Sequence, residues 1–472
     1  MTLQPPLHPV AAAGRQFVRE RFYGPAARFS QIEASGGIVL LVAAAVALLW
    51  ANSPWDEQYF DLWHAHVGVD FNVFAINETV GHAVNDGLMA IFFFVVGLEI
   101  KRELVHGELA SMRKATLPVA AALGGMIVPA LIYTAFNAGG DGAKGWGIPM
   151  ATDIAFAIGV LALLGRRAPF SLKVFLLALA IADDLGAIVV IAVFYTDSIS
   201  IEALLWAAAL AAIILTMGRM GVRSVDVYVV FGILFWLAVF ESGIHATIAG
   251  VLLAMMTPSR PYLREGSFGT NADILLTEYR IAHHQGDHDR AERILSEFES
   301  LARDMESPLD RLEHTLHPWV AYLIVPIFAL ANSGVALSGD LIHDAATGTV
   351  SAGVFFGLVV GKPLGIMLAC LIAVKLKIAE LPSNTGYQHM VGIGLLGGVG
   401  FTVSLFITGL AFDSAVLIDE GKIGILAASF TAGLLGFIYL WWLPGEPNRE
   451  VASQAMSPGA GVALELSPQD QG

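Results

Sequence analysis

Residues 172–195 read LKVFLLALAIADDLGAIVVIAVFY, and no other stretch limits the fold as much. A helix rising ~1.5 Å per residue over this length crosses a bilayer. Its middle nevertheless carries two adjacent carboxylates, Asp183 and Asp184, with apolar sequence on both sides. One Asp at the centre of a membrane helix disfavours insertion by roughly 2.5–3.5 kcal/mol, so two together need a cationic partner, a proton or a bound ion. The fold must bring such a partner to mid-membrane, and the function is to be sought there.

The rest of the chain agrees with a membrane setting. Of its 472 residues 56% are hydrophobic and only 14% charged, which makes it an all-α polytopic membrane protein. The 26 basic against 41 acidic residues argue against a nucleic acid partner. Cys370 is the lone cysteine, so an intrachain disulfide is excluded. No cofactor is expected. Twelve apolar segments fall near 36–51, 79–100, 117–136, 148–164, 172–195, 201–217, 227–240, 244–256, 318–332, 350–374, 390–411 and 423–442. Those at 227 and 244 are shorter than the ~17–25 residues a perpendicular span needs.

Lys and Arg placement sets the orientation. With a cytoplasmic N-terminus the inside loops hold Lys101, Arg102, Arg113, Lys114, Arg166, Arg167, Lys173, Arg219, Arg223, Lys375 and Lys377, and the outside loops only Lys144 and Lys422. Both termini are therefore expected on the cytoplasmic side. The expected organisation is a basic segment at 1–33 without cleavage, spans over 34–257, a cytoplasmic insertion at 258–316, spans over 317–443 and a disordered tail at 444–472. Residues 54–76 fit either a β-hairpin or an interfacial loop anchored by Trp55 and Trp63. Within the insertion, apolar residues at helical spacing flank His283, His284, Gly286 and His288, which predicts a helical hairpin. Its histidines fit a solvated turn better than a metal site.

Three further features bear on the aspartates. Asp153 lies inside the apolar run GWGIPMATDIAFAIGVLALLG, with Thr152 beside it and Gly147 and Pro149 before it. Proline and glycine there free backbone groups that lipid cannot satisfy, so a break is tolerable only where it lines a cavity. GIGLLGGVGFTVSLFITGL, with Gly392, Gly394, Gly397, Gly398 and Gly400, predicts a second break, or close helix packing through small residues. Lys362, followed by Pro363, is the one basic residue placed deep in a span. A buried ammonium and a buried carboxylate each cost less when they meet, which makes Lys362 the natural partner of Asp183 or Asp184. A broken then a charged span early in the chain is answered by a charged then a broken one late. That reversal is expected of inverted-topology repeats with two discontinuous helices crossing at mid-membrane.

The segments PMATDIAFAIGVLALLG, LALAIADDLGAIVVIAVFYT, GKPLGI, NDGLMAIFFFVVGLEIKREL, SGIHATIAG and LEHTLHPWVAY together resemble the NhaA-type sodium/proton antiporters, in order, from about residue 30 to 443. Those antiporters are themselves an instance of inverted repeats, so that architecture comes with the resemblance. The resemblance implies electrogenic, pH-regulated exchange of Na+ or Li+ for H+ in a bacterial inner membrane. Asp183 and Asp184 would be the cation and proton site, Lys362 the essential lysine, Asp153 with Thr152 the compensation of half-helix dipoles, and Asp86 a funnel residue. Glu99, Arg102, Glu103, His245, Glu313, His314 and His317 match positions implicated in the pH response. Each of these histidines also fits a packed, capping or interfacial role. Na+, Li+, H+ and membrane lipid are the expected partners, and a homodimer is left open. The insertion before Arg311 and the extended tail depart from the family, so its pH set point does not carry over.

Two other functions fit parts of the pattern. An intramembrane aspartyl protease needs a carboxylate pair, but adjacent helical residues point about 100° apart and do not face each other. A proton- or sodium-coupled solute carrier is the nearer alternative.

Overall fold

A computed structural model describes residues 35–70, 75–196, 199–222, 225–260, 265–303, 305–339, 343 and 347–443. The basic segment at 1–33 and the tail at 444–472 lie outside the described residues. Apart from one strand pair, the described elements are helices. Among the described residues seven helices are long and apolar enough to cross a membrane: Val80–Val105, Met112–Asn137, Phe170–Phe194, Ile201–Arg219, Pro308–Asn332, Thr349–Lys375 and Ala415–Trp442. Counting each bent pair as one span raises this to ten. The short apolar segments near 227 and 244 fold as Val225–Glu241 and Ala246–Met256, 17 and 11 residues long. An 11-residue helix falls short of the ~20 residues a span requires, so length and composition alone do not reach the expected twelve.

The bent pairs are Ser35–Ala51 with Asp56–His64 at 114°, Asp141–Met150 with Ile154–Leu163 at 44°, and Tyr387–Gly397 with Phe401–Ala411 at 49°. The last two are the breaks expected at Pro149–Asp153 and in the glycine run. Their backbones differ. Ala151 and Asp153 are extended, whereas Gly398 and Gly400 keep helical φ and ψ. The glycine run serves both of its expected purposes: Gly392 and Gly394 pack against Leu440 and Pro363, while Gly398 and Gly400 lie at the break.

Met112–Asn137 and Thr349–Lys375 approach through facing glycines. A Cβ on Gly124 would lie 2.2 Å from the Gly365 carbonyl oxygen, and one on Gly365 2.1 Å from that of Gly124. This small-residue contact lets the helix bearing Lys362 sit deep in the bundle. The strands His66–Asp70 and Ala75–Thr79 pair antiparallel, His66 opposite Thr79 and Asp70 opposite Ala75, so residues 54–76 hold the first strand of the expected hairpin and the start of the second, which runs on to Thr79. They also contain the helix Asp56–His64, for which the sequence carried no clear period. In the insertion, Glu265–His284 and His288–Arg303 fold back on each other around Gly286, whose φ is +72°. Ala282, Ala291 and Ile294 form a small core of their own between them. No group of three metal-ligating side chains occurs among the described residues.

Candidate ion-exchange site

The two breaks meet. Asp153 N–H donates to the Val399 carbonyl at 2.7 Å, and the Thr152 hydroxyl donates to the Gly397 carbonyl at 2.8 Å. Backbone groups freed in one broken helix are thus satisfied by the other, which is how a non-helical stretch survives away from water. Ile154–Leu163 and Phe401–Ala411 both begin here, and Asp153 bridges their N-termini. Its Oδ1 accepts from Phe156 N–H at 3.0 Å, and its Oδ2 from Thr402 N–H at 3.1 Å and the Thr402 hydroxyl at 2.7 Å. Each helix N-terminus carries about half a positive charge, and one carboxylate faces both.

Lys362 stands on the other side of Thr152. Its Nζ donates to Asp183 Oδ2 at 2.5 Å and to Thr152 Oγ1 at 3.0 Å. Lys362 is 0% exposed and Asp183 1%, so the pair is shielded from solvent, where its charges are fully felt. The expected partnership therefore falls on Asp183. Asp184, on the same helix, is also buried, and its Oδ1 accepts no hydrogen bond; neither does Asp183 Oδ1. Two carboxylate oxygens thus remain for a further cation or proton. Lys362 follows a wide helical turn, Gly357–Gly361, of the π type that recurs at functional sites.

A cavity of about 70 Å³ reaches this crossing. Asp153, Asp184, Thr152 and Thr402 line one part of it and Glu99 and His317 another. It therefore joins Asp184 and Asp153 to two of the residues matched to the pH response. Glu99 Oε1 lies 3.7 Å from His317 Nε2, Arg102 pairs with Glu313, and Arg102 is 3.9 Å from Glu103. The structure thus gathers Glu99, Arg102, Glu103, Glu313 and His317 into one cluster between Val80–Val105 and Pro308–Asn332.

Other expected residues stand apart. His314 is exposed, with no ion pair or hydrogen bond among the described residues. His245 precedes Ala246–Met256, and its Nε2 meets the Tyr195 carbonyl oxygen. Asp86 is half-buried in the wide-turn segment Ala83–Leu88.

Sequence reasoning missed the tertiary contacts made by Thr402 at the crossing and by Tyr195 at the end of the aspartate helix. Thr402 carried a signal, a hydroxyl just beyond the second break as Thr152 is beside the first. Tyr195 ends the aspartate helix, donates its hydroxyl to the Lys144 carbonyl at 2.8 Å and accepts from Gly147 N–H at 3.2 Å. An aromatic at a helix end has too many ordinary uses to reveal that.

A family model described as Na+/H+ antiporter 1 matches residues 27–440. This chain belongs to that family. It is therefore a multi-pass membrane ion transporter, not an enzyme. It is 48% identical over 439 residues to Na(+)/H(+) antiporter NhaA of Oleidesulfovibrio alaskensis, covering 92% of this chain and 97% of that one. It is likewise 48% identical over 434 residues to Na(+)/H(+) antiporter NhaA 2 of Myxococcus xanthus, covering 92% of each. With Na(+)/H(+) antiporter NhaA of Rhodopirellula baltica the identity is 46% over 431 residues, 91% of this chain and 97% of the other.

Proposed function

We propose that the protein exchanges Na+, or Li+, for H+ at Asp183 and Asp184, opening the site alternately to the two sides of a bacterial inner membrane. The observation that carries this reading is the buried Lys362–Asp183 pair at 2.5 Å beside the crossing, with oxygens of Asp183 and Asp184 left without a donor. Carboxylate oxygens suit a small hard cation. Sodium on Asp183 competes with the Lys362 ammonium, and a proton on either carboxylate competes with sodium. Loading and discharge of protons is therefore tied to the cation.

Asp153 and Thr152 hold the two broken helices together, Asp153 by facing both N-termini and Thr152 by linking Lys362 to Gly397. The cluster of Glu99, Arg102, Glu103, Glu313 and His317 opens on the same cavity, a fitting place for proton supply to be regulated; His245, His314 and Asp86 act from outside it, Asp86 in a funnel. Twelve spans in inverted repeats, with both termini cytoplasmic and 258–316 as a cytoplasmic insertion, complete the reading. The size of the cavity favours an ion over an organic solute, since about 70 Å³ is far below the ~300–1,000 Å³ of small-molecule pockets.

If two protons enter for each cation that leaves, one positive charge moves inward per cycle, worth about 2.3 kcal/mol per 100 mV. The test is sodium flux in proteoliposomes without a pH gradient, under a potassium diffusion potential set with valinomycin. Sodium should move in the direction the potential dictates and reverse with its sign. Flux indifferent to that sign would mean one-for-one exchange, and no flux in any condition would reject sodium/proton exchange.

A further inference from the structure

A second cavity, of about 630 Å³, lies apart from the helix crossing. It is walled by the start of Met112–Asn137, the start of Phe170–Phe194 and the turn after Thr349–Lys375. Its volume falls within the ~300–1,000 Å³ of sites that hold small molecules. Among its lining residues the charged ones are Arg113, Lys114, Lys377, Glu108 and Glu380. Arg113 pairs with Glu380 and Lys114 with Glu108, each at 3.2 Å. Lys377 has no ion pair among the described residues, so three cations against two carboxylates leave one positive charge in excess. Apart from Ser171 and Ser383, the rest of the lining is apolar, with Leu117, Val174, Phe175, Ala178 and Leu381 among it.

Position adds a second constraint. Met112, Phe170 and Leu376 adjoin lining residues and Ile378 is one of them; the four are 87%, 75%, 65% and 54% exposed. Met112, Leu376 and Ile378 stand next to Arg113, Lys375 and Lys377 in the chain, and Phe170 stands between Arg167 and Lys173, on the side where the Lys/Arg-rich loops gather. Exposed apolar side chains interleaved with cations mark the level of lipid headgroups on the cytoplasmic leaflet. A free inorganic anion would use the cations but leave the apolar wall bare. A lipid uses both.

We propose that this cavity binds an anionic glycerophospholipid of the leaflet it faces. The phosphodiester sits against Lys377, Arg113 and Lys114, and an acyl chain covers Leu117, Phe175 and Leu381. The single excess charge matches a single phosphodiester. Lys377 is held at φ +58° in the turn that closes its helix, where Lys377 N–H donates to the Val374 carbonyl at 3.0 Å and Ile378 N–H to the Ala373 carbonyl at 3.1 Å. Phe175 and Ala178 belong to the helix that carries Asp183 and Asp184, so the lipid contacts the element that holds the exchange carboxylates.

The test needs no transport activity and so stands or falls apart from the proposed function. Full-length protein, delipidated in detergent, is titrated with phosphatidylglycerol, phosphatidylcholine or inorganic phosphate. Bound lipid is counted by native mass spectrometry and the unfolding midpoint is followed. Phosphatidylglycerol should remain bound and raise the midpoint, and the other two should not. Lys377→Asn, chosen because Asn tolerates a left-handed backbone, should weaken phosphatidylglycerol binding about fivefold, and Arg113→Gln added to it should weaken binding further. Should Lys377→Asn fail to fold, Lys114→Gln serves in its place. Equal binding of phosphatidylcholine, unchanged binding in the variants, or the same midpoint shift from phosphate alone would overturn the proposal.

Discussion

Asp153 Oδ2 accepts two hydrogen bonds from Thr402, one from its N–H at 3.1 Å and one from its hydroxyl at 2.7 Å. These residues belong to different broken helices, so one carboxylate fastens the crossing and faces both helix N-termini. Hydrogen bonds to a charged group contribute about 1.5–3 kcal/mol each, and a buried donor left without its acceptor costs about 1–3 kcal/mol. Asp153→Ala should therefore lower the unfolding midpoint more than Asp153→Asn, which keeps an oxygen acceptor. Midpoints equal to that of the unaltered protein in both variants would show that the crossing is held by other contacts.

Lys362 and Asp183 should be energetically coupled. Removing either partner leaves a buried charge unpaired, at a cost of roughly 3–5 kcal/mol, whereas removing both leaves none. In a double-mutant cycle of Lys362→Met and Asp183→Asn, followed by denaturation, the double variant should be more stable than the sum of the single losses predicts. Additive losses would mean that the 2.5 Å contact carries no interaction energy.

Much of this site was legible in sequence because charge inside an apolar run is expensive. Asp183, Asp184, Asp153 and Lys362 each stood out for that reason, and the cost itself predicted that Lys362 would meet an aspartate. Which aspartate was not legible, since neighbouring residues on a helix differ only in direction. The breaks were visible as Pro149 and the glycine run, but not the backbone path through them, which depends on bonds from Asp153 to Val399 and from Thr152 to Gly397, far apart in the chain. The Glu99–His317 and Arg102–Glu313 pairs were hidden similarly, because polar residues near helix ends look alike until tertiary packing selects their partners. Asp56–His64 was missed because its polar and apolar residues carry no strong period.

Sodium and protons should compete. A carboxyl holding a proton no longer ligates a cation, so apparent sodium affinity should fall as pH drops. The fall should approach tenfold per pH unit for each competing proton while that group titrates. Sodium binding measured on purified protein across the acidic to alkaline range checks this. An affinity flat with pH would separate the proton and cation sites.

The insertion should be dispensable for folding. Leu309 N–H donates to the Pro258 carbonyl at 3.2 Å, so its two ends already meet, and the helix pair between them has its own small core. Ser307 must stay, because its hydroxyl accepts from Asp310 N–H at 3.1 Å and caps the next helix. Replacing residues 262–304 by a short Gly/Ser linker should leave a monodisperse protein that still transports sodium, with any change confined to its pH profile. Loss of the folded protein would show that the hairpin packs into the bundle.

Proton release on sodium addition tests the role of Asp183 and Asp184 most directly. Purified protein in weak buffer, with a pH-sensitive dye, should release two protons for each sodium bound. Asp183→Asn and Asp184→Asn, each folded by size and melting criteria, should release none at the same sodium concentration. Release from either variant equal to that of the unaltered protein would place the exchange site elsewhere.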